Sequence, residues 1–200
     1  EPVEVEEVTF QLEVEERARA ARIEAIRLQQ ATVLPGDTVR VTVVLQPYLD
    51  DLQEVDTLLL IPLQVRKGRL TLRVSSARAY HAWESKRIPG EHVPRDLDHL
   101  LRLLGRTERN DDLILELLSS KPGVTVEGRE VSALPPSVLS ALRLSRESGA
   151  VQKVAQTVLT RLQRRTDYVL SGSQSVSISV GREGGGLIFN RRGRPREEKR

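Results

Sequence analysis

Cysteine is absent from this 200-residue chain. Disulfides, thiolate metal sites and a thiol nucleophile are thereby excluded, and no compartment is selected. Methionine is absent too, even at position 1, which points to a piece of a longer protein or a processed chain. Aromatic residues make up only 3%, so a core must be built from Leu, Val, Ile and Ala. Histidine occurs only at 81, 92 and 99. No apolar run is long enough for a membrane-crossing helix. No signal-peptide pattern opens the chain, although a fragment could have lost one.

What is present is charge, unevenly placed, and β-branched alternation. The net charge is +3. Residues 182–200 hold seven Arg/Lys and three Glu, so the rest of the chain is close to neutral. The first sixteen residues carry seven Glu and no base. The chain is long enough for one large domain or two small ones.

The clearest structural signal is Thr32 to Leu45. Pro35-Gly36-Asp37 is a turn, because Pro fixes one dihedral and Gly allows a positive φ. After it Val39, Val41 and Val43 alternate with Arg40, Thr42 and Val44, the period of a strand with one buried face. Earlier, Val8, Phe10, Leu12 and Val14 alternate with Thr9, Gln11 and Glu13, which predicts a strand over about 7–16. Its Glu face would be solvated and would blunt a sheet edge. Residues 17–30 have helix-favouring composition, but Ile26 and Leu28 alternate around Arg27, and a strand over 20–29 leads into the turn. Val55 to Val65 is a nearly continuous apolar run, a buried strand with Pro62 at an edge or bulge. Leu70, Leu72 and Val74 alternate with Arg69, Thr71 and Arg73. Residues 7–75 thus predict about five strands, the pattern of an immunoglobulin-like antiparallel β-sandwich.

Composition shifts after Ser76. Residues 77–95 read as a loop with one helical turn. Asp96 to Leu104 reads as a short helix with Leu97, Leu100, Leu101 and Leu104 on one face, ended by Gly105. Leu113 to Leu118 is a short apolar strand. Val124–Val126 and Glu130-Val131 flank a hairpin turn. Pro135-Pro136-Ser137 opens a second helix to about Leu144. Val151 to Leu162 carries a helical stripe by count, while its β-branched content argues for a strand. Tyr168–Leu170 and Ser175–Val180 form a last strand pair, bent at Ser171-Gly172-Ser173. The Gly- and Arg-rich stretch from Gly181 has too little apolar content to order itself. The expected class is mainly β with minor α. Residues 1–76 form the sandwich portion. Residues 77–180 form a smaller α+β region, packed on the sandwich or completing it. Residues 181–200 form a disordered basic tail.

Few residues carry a chemical signal. His81, Glu84 and His92 could hold zinc, but no His pair has helical ligand spacing, and exposed loop histidines are the plainer reading. The N-terminal Glu residues lack the converging geometry calcium needs. Ser171-Gly172-Ser173 invites a nucleophile reading, which would need a base and an oxyanion hole; a strand bend is the plainer one. Tyr80 and Trp83 on a loop could stack on a sugar, against simple packing on the Leu helix. Arg191-Arg-Gly-Arg-Pro-Arg resembles the core of a minor-groove-binding hook, but a single copy also suits a solvated terminus or linker, which is preferred. Gly184-Gly185-Gly186 precedes no helix and is no phosphate loop. No catalytic, cofactor-binding or metal-binding residue is assigned, and no cofactor is expected.

Five stretches carry a resemblance: Val33–Tyr48, Pro94–Leu101, Asn110–Leu118, Leu134–Leu142 (Leu-Pro-Pro-Ser-Val-Leu-Ser-Ala-Leu) and Asp167–Ser173. Together they are similar to the region that follows the peptidase domain in bacterial proteins of the SpoIVB-type sporulation serine peptidase class. The resemblance covers about residues 20–180. It favours an extended segment at 151–162, so a strand is expected there. It places the peptidase domain upstream of Glu1. The family nucleophile lies in a Gly-x-Ser-Gly-Ser-Pro turn. Leu170-Ser171-Gly172-Ser173-Gln174 lacks the leading Gly and the Pro, so no catalytic residue transfers. The resemblance implies a non-catalytic accessory or interaction domain of an exported, periplasmic or envelope protein. Its partner would be the adjacent peptidase domain or another envelope protein. The alternative is an independent envelope-binding module for carbohydrate or protein. Nucleic-acid binding through the tail ranks below both.

Overall fold

The computed structural model describes residues 18–88, 96–105, 108–120, 123–126, 129–131, 151–154 and 156–181, with seven positions between 7 and 16. The predicted helix at 135–144 and the tail from 182 lie outside the described residues. The fold is mainly β, with two larger sheets facing each other as in a β-sandwich.

The first sheet contains β1 (Ala20–Leu28), β3 (Thr38–Pro47), β4 (Gln53–Leu60) and β11 (Val169–Ser171), in the order β11-β1-β3-β4. The second contains β2 (Thr32–Val33), β5 (Gly68–Ser76), β6 (Asp112–Ser119), β10 (Thr157–Arg165) and β12 (Ser173–Val180), in the order β10-β6-β5-β12-β2. Pairing is antiparallel except for β1 with β11 and β12 with β2. A small third sheet joins β7 (Gly123–Val126), β8 (Arg129–Val131) and β9 (Val151–Val154). The core between the larger sheets takes Ile23, Val39, Val41, Val43 and Leu59 from one. Leu70, Leu72, Val74, Leu113, Leu115, Leu117 and Ile178 come from the other. The alternation of β3 is the cause: every second side chain points inward. Arg40, one step off that register, is exposed.

The turn before β3 forms as expected. Gly36 has φ +89°, and a Cβ there would meet Leu63 Cδ2 at 2.8 Å. Asp37 Oδ2 accepts from the Leu34 amide at 2.7 Å. The bend at Gly172 also forms, with φ +84°, and it passes the chain from β11 in one sheet to β12 in the other.

Four expectations fail. The run Val55–Val65 is a strand only as far as Leu60 and is buried on one face alone, with Leu58 and Leu60 exposed, because β4 is the last strand of its sheet. The described residues of 7–16 adopt no strand, and Phe10, Leu12 and Val14 are exposed. Alternation is only half of a strand; the other half is a neighbour for its backbone groups. Residues 77–95 are not a loop with one turn: α1 (Ala77–Arg87) is a full helix. Ser76 caps it by accepting from the Ala79 amide, and Lys86 and Arg87 sit favourably in its last turn. The stretch 151–162 is extended as expected, but as two strands in two sheets, β9 and β10. The predicted Leu helix is present as α2 (Leu97–Gly105), with Leu97, Leu100, Leu101 and Leu104 exposed. Among the described residues, no helix is long and apolar enough to cross a membrane.

Candidate functional site

Two places gather polar side chains. The first is the outer face of the second sheet, beneath α1. Arg161 of β10, Glu116 of β6 and Arg73 of β5 are directly opposite one another across three strands. Opposite charges in that register attract. Arg161 Nη2 lies 3.0 Å from Glu116 Oε1 and 3.6 Å from Glu84 Oε1. Glu84, buried on α1, is gripped by Arg87 through bonds of 2.6 and 2.7 Å. The Arg73 and Arg87 guanidiniums lie over the Trp83 ring at 4.3 and 5.1 Å, and Arg161 lies over Tyr80 at 4.6 Å, favourable cation–π geometry. Tyr80, Ala77 and Ile114 form a small apolar cluster beside them.

This cluster fastens a helix to a sheet. Burial pushes the Glu116 carboxyl up, against the opposing pull of Arg161 and with further upward pressure from Glu84. Burial also pushes the Tyr80 hydroxyl up and the Arg73 guanidinium down. A raised carboxyl pKa is often a catalytic sign. Here Glu116 is 0% exposed, so it has no surface on which to meet a substrate.

The second place is one end of the sandwich. The lead-in to β1, the β3–β4 loop, the turn before β6 and the β10–β11 loop converge there. Glu16, Arg19, Tyr48, Leu49, Asp50 and Tyr168 are among the residues lining one cleft. A second cleft shares Arg19, Asp167 and Tyr168 and continues past Asn110, Asp111 and Arg165. The framework is firmly tied. The amides of Val169, Tyr48 and Leu170 donate to the carbonyls of Arg19, Ala20 and Asn110 at 2.7, 2.9 and 2.8 Å. Buried Asp112 accepts from the Arg109 amide at 2.6 Å and from Gln163 Nε2 at 2.7 Å. The Arg109 side chain bonds Asp111 at 3.0 Å and holds that carboxyl below its usual range. On this frame Leu49 sits at φ +55° and is 88% exposed. A non-glycine residue in the left-handed region, with an apolar side chain in water, is unfavourable on both counts. Tyr48 beside it is 64% exposed.

No known family model, curated protein or solved structure matches this chain. The site is therefore read from its own geometry.

Tyr80 and Trp83 are not an exposed loop pair. They lie on α1, with Tyr80 buried and Trp83 between guanidiniums, packed on the second sheet rather than on the Leu helix. His81 Nε2 is 3.1 Å from Glu108 Oε2. Both oxygens of Glu84 are taken by Arg87, and His92 lies outside the described residues. Among the described residues, no three His, Asp or Glu side chains are grouped to hold a metal. The Ser171 hydroxyl donates to the Ala21 carbonyl at 3.3 Å, and Ser173 pairs with Ser75 in the sheet ladder. Sequence reading missed the cleft residues Arg19, Tyr48, Leu49 and Tyr168. It also missed Glu116, for which a signal existed: one acid inside an apolar run.

Proposed function

We propose that this chain is a non-catalytic interaction domain: an immunoglobulin-like accessory sandwich of a longer exported bacterial protein that resembles SpoIVB-type serine peptidases. The observation that carries the reading is the loop end of the sandwich. Exposed Tyr48 and strained, exposed Leu49 project there from a tightly bonded frame. Tyr presented rigidly on a loop is a common anchor of protein recognition. The same end receives the lead-in to β1, since Glu16 and Arg19 line the cleft with Tyr48 and Leu49. A domain encoded upstream would meet this surface first. An envelope polymer as ligand is the second reading, favoured by Tyr48 and Tyr168 lining one cleft with Asp50 and Asp167.

The test uses the polypeptide encoded upstream of Glu1, produced separately and titrated into this chain by NMR and calorimetry. Shifts at Tyr48, Leu49 and Tyr168, with binding lost in Tyr48→Ala/Leu49→Ala, are expected. Absence of binding, or shifts confined to other surfaces, overturns the accessory reading. Shifts at Tyr48 and Tyr168 on adding peptidoglycan fragments instead would establish the envelope module.

A further inference from the structure

We propose that the lead-in Thr9–Val14 is a strand for a second copy of this chain, added to the free edge of β4. Two incomplete halves motivate it. The lead-in alternates like a strand, yet in its own chain Phe10, Leu12 and Val14 are 82%, 88% and 92% exposed. β4 ends its sheet, with β3 as its one strand partner among the described residues. On the outer face of β4, Leu58 and Leu60 are 61% and 58% exposed.

The ladder shows which backbone groups face outward. Arg164 Nη1 of β10 donates to the Asp56 carbonyl at 2.8 Å, so Asp56 points away from β3. The Ile61 amide and carbonyl bond instead to the turn before β3, accepting from Gly36 and donating to Asp37. Antiparallel alternation then turns the amides and carbonyls of Leu58 and Leu60 outward with those of Asp56. These groups can receive an extended segment of about six residues. Paired there, Phe10 and Leu12 cover Leu58 and Leu60. Charge favours it on balance: the lead-in sequence carries Glu7, Glu13, Glu15 and Glu16, and in the rim groove beside Leu58 and Leu162 the two guanidiniums of Arg40 and Arg164 outnumber the Asp56 carboxylate, which is itself bonded to Thr42. An incoming amide takes the Asp56 carbonyl, and the released Arg164 guanidinium meets those carboxylates.

The occupant is a second copy because within one chain Phe10, Leu12 and Val14 stand exposed. Reciprocal exchange closes as a dimer, the arrangement that two identical donors and two identical edges allow. The five residues between Val14 and Ala20 span at most about 20 Å, enough to cross between two sandwiches at their edges.

The test is light scattering on the whole chain across a concentration series. A concentration-dependent dimer is expected. Phe10→Glu/Leu12→Glu should be monomeric and still melt cooperatively, with a melting temperature that no longer depends on concentration, since neither side chain is in the core. Leu58→Pro removes one outward amide and spares the β3 ladder, and Leu58→Lys serves if the proline variant does not fold; each should also be monomeric. Leu100→Glu/Leu101→Glu, on the exposed face of α2, should leave the dimer intact. A monomer at every concentration overturns the proposal. So does a dimer that survives Phe10→Glu/Leu12→Glu, or one lost only in the α2 variant. Amide protection of residues 9–14 in a monomer would place the strand within one chain and overturn it equally.

Discussion

Glu116 interrupts the apolar run Leu113–Leu118 and points away from the core, between Arg161 and Arg73. Its Oε2, like Arg73 Nη1 and Ser75 Oγ, is buried without a hydrogen-bond partner, which raises the cost of carrying charge there. The pKa direction follows: burial pushes it up, and Arg161 opposes this without cancelling it. The folded chain therefore holds this proton to higher pH than the unfolded chain does. The contribution to stability is fully present below the ordinary carboxyl range and is lost as pH rises through the folded value. Urea midpoints measured between about pH 4 and 8 should show this loss in the wild type. Glu116→Gln should flatten that part of the profile; an unchanged profile would place the titration elsewhere. At neutral pH, Glu116→Ala removes the carboxylate between Arg161 and Arg73 and should cost about 2–3 kcal/mol, at or below the lower end for breaking a buried ion pair, because Glu84 still faces Arg161 and Arg161 is partly solvated.

At the scale of elements, β3 is the strand whose register the sequence states most clearly. Val41 is fully buried, and Thr42 faces outward toward Asp56. Val41→Ala should cost about 2 kcal/mol of stability, read as a lower urea midpoint, through the loss of a buried side chain plus a cavity. Thr42→Lys should stay within about 0.5 kcal/mol, helped by Asp56. A larger cost at Thr42 would mean the outer face of the sheet is covered. Strands β1, β3, β5, β6 and β12 were legible for the same reason: apolar period or apolar run matches one sheet face or two. The helix α1 was not, because its buried side carries Tyr80, Trp83, Glu84 and Arg87 in place of aliphatic residues. An ion-paired face reads as a solvated one. The lead-in misled in the opposite direction, since its pattern is that of a strand, yet among the described residues no strand pairs with it. The α2 stripe was legible as a helix, but periodicity does not say whether a face is covered.

The whole molecule is interleaved. β5 lies between β6 and β12, so both neighbours of a strand ending at Ser76 come from beyond residue 110. That is why the loop-end cleft was invisible in sequence: Tyr48 and Tyr168 are far apart along the chain, and only this topology brings them together. It also decides what a boundary at residue 76 would do. A chain of residues 1–76 loses Leu113, Leu115, Leu117, Leu170, Ile178 and Val180 from the core. Burying each is worth about 1.5–3 kcal/mol. Their combined loss is on the order of 10 kcal/mol, comparable with the whole stability of a domain at about 5–15 kcal/mol. Residues 1–76 produced alone should therefore be unfolded, with no cooperative melt and collapsed amide dispersion in NMR spectra. Adding residues 77–181 as a separate polypeptide should restore both, because the two fragments fold together when the missing strands pair with β1 and β5. Cooperative melting of the 1–76 fragment by itself would show that the first five strands close their own core and that interleaving is secondary.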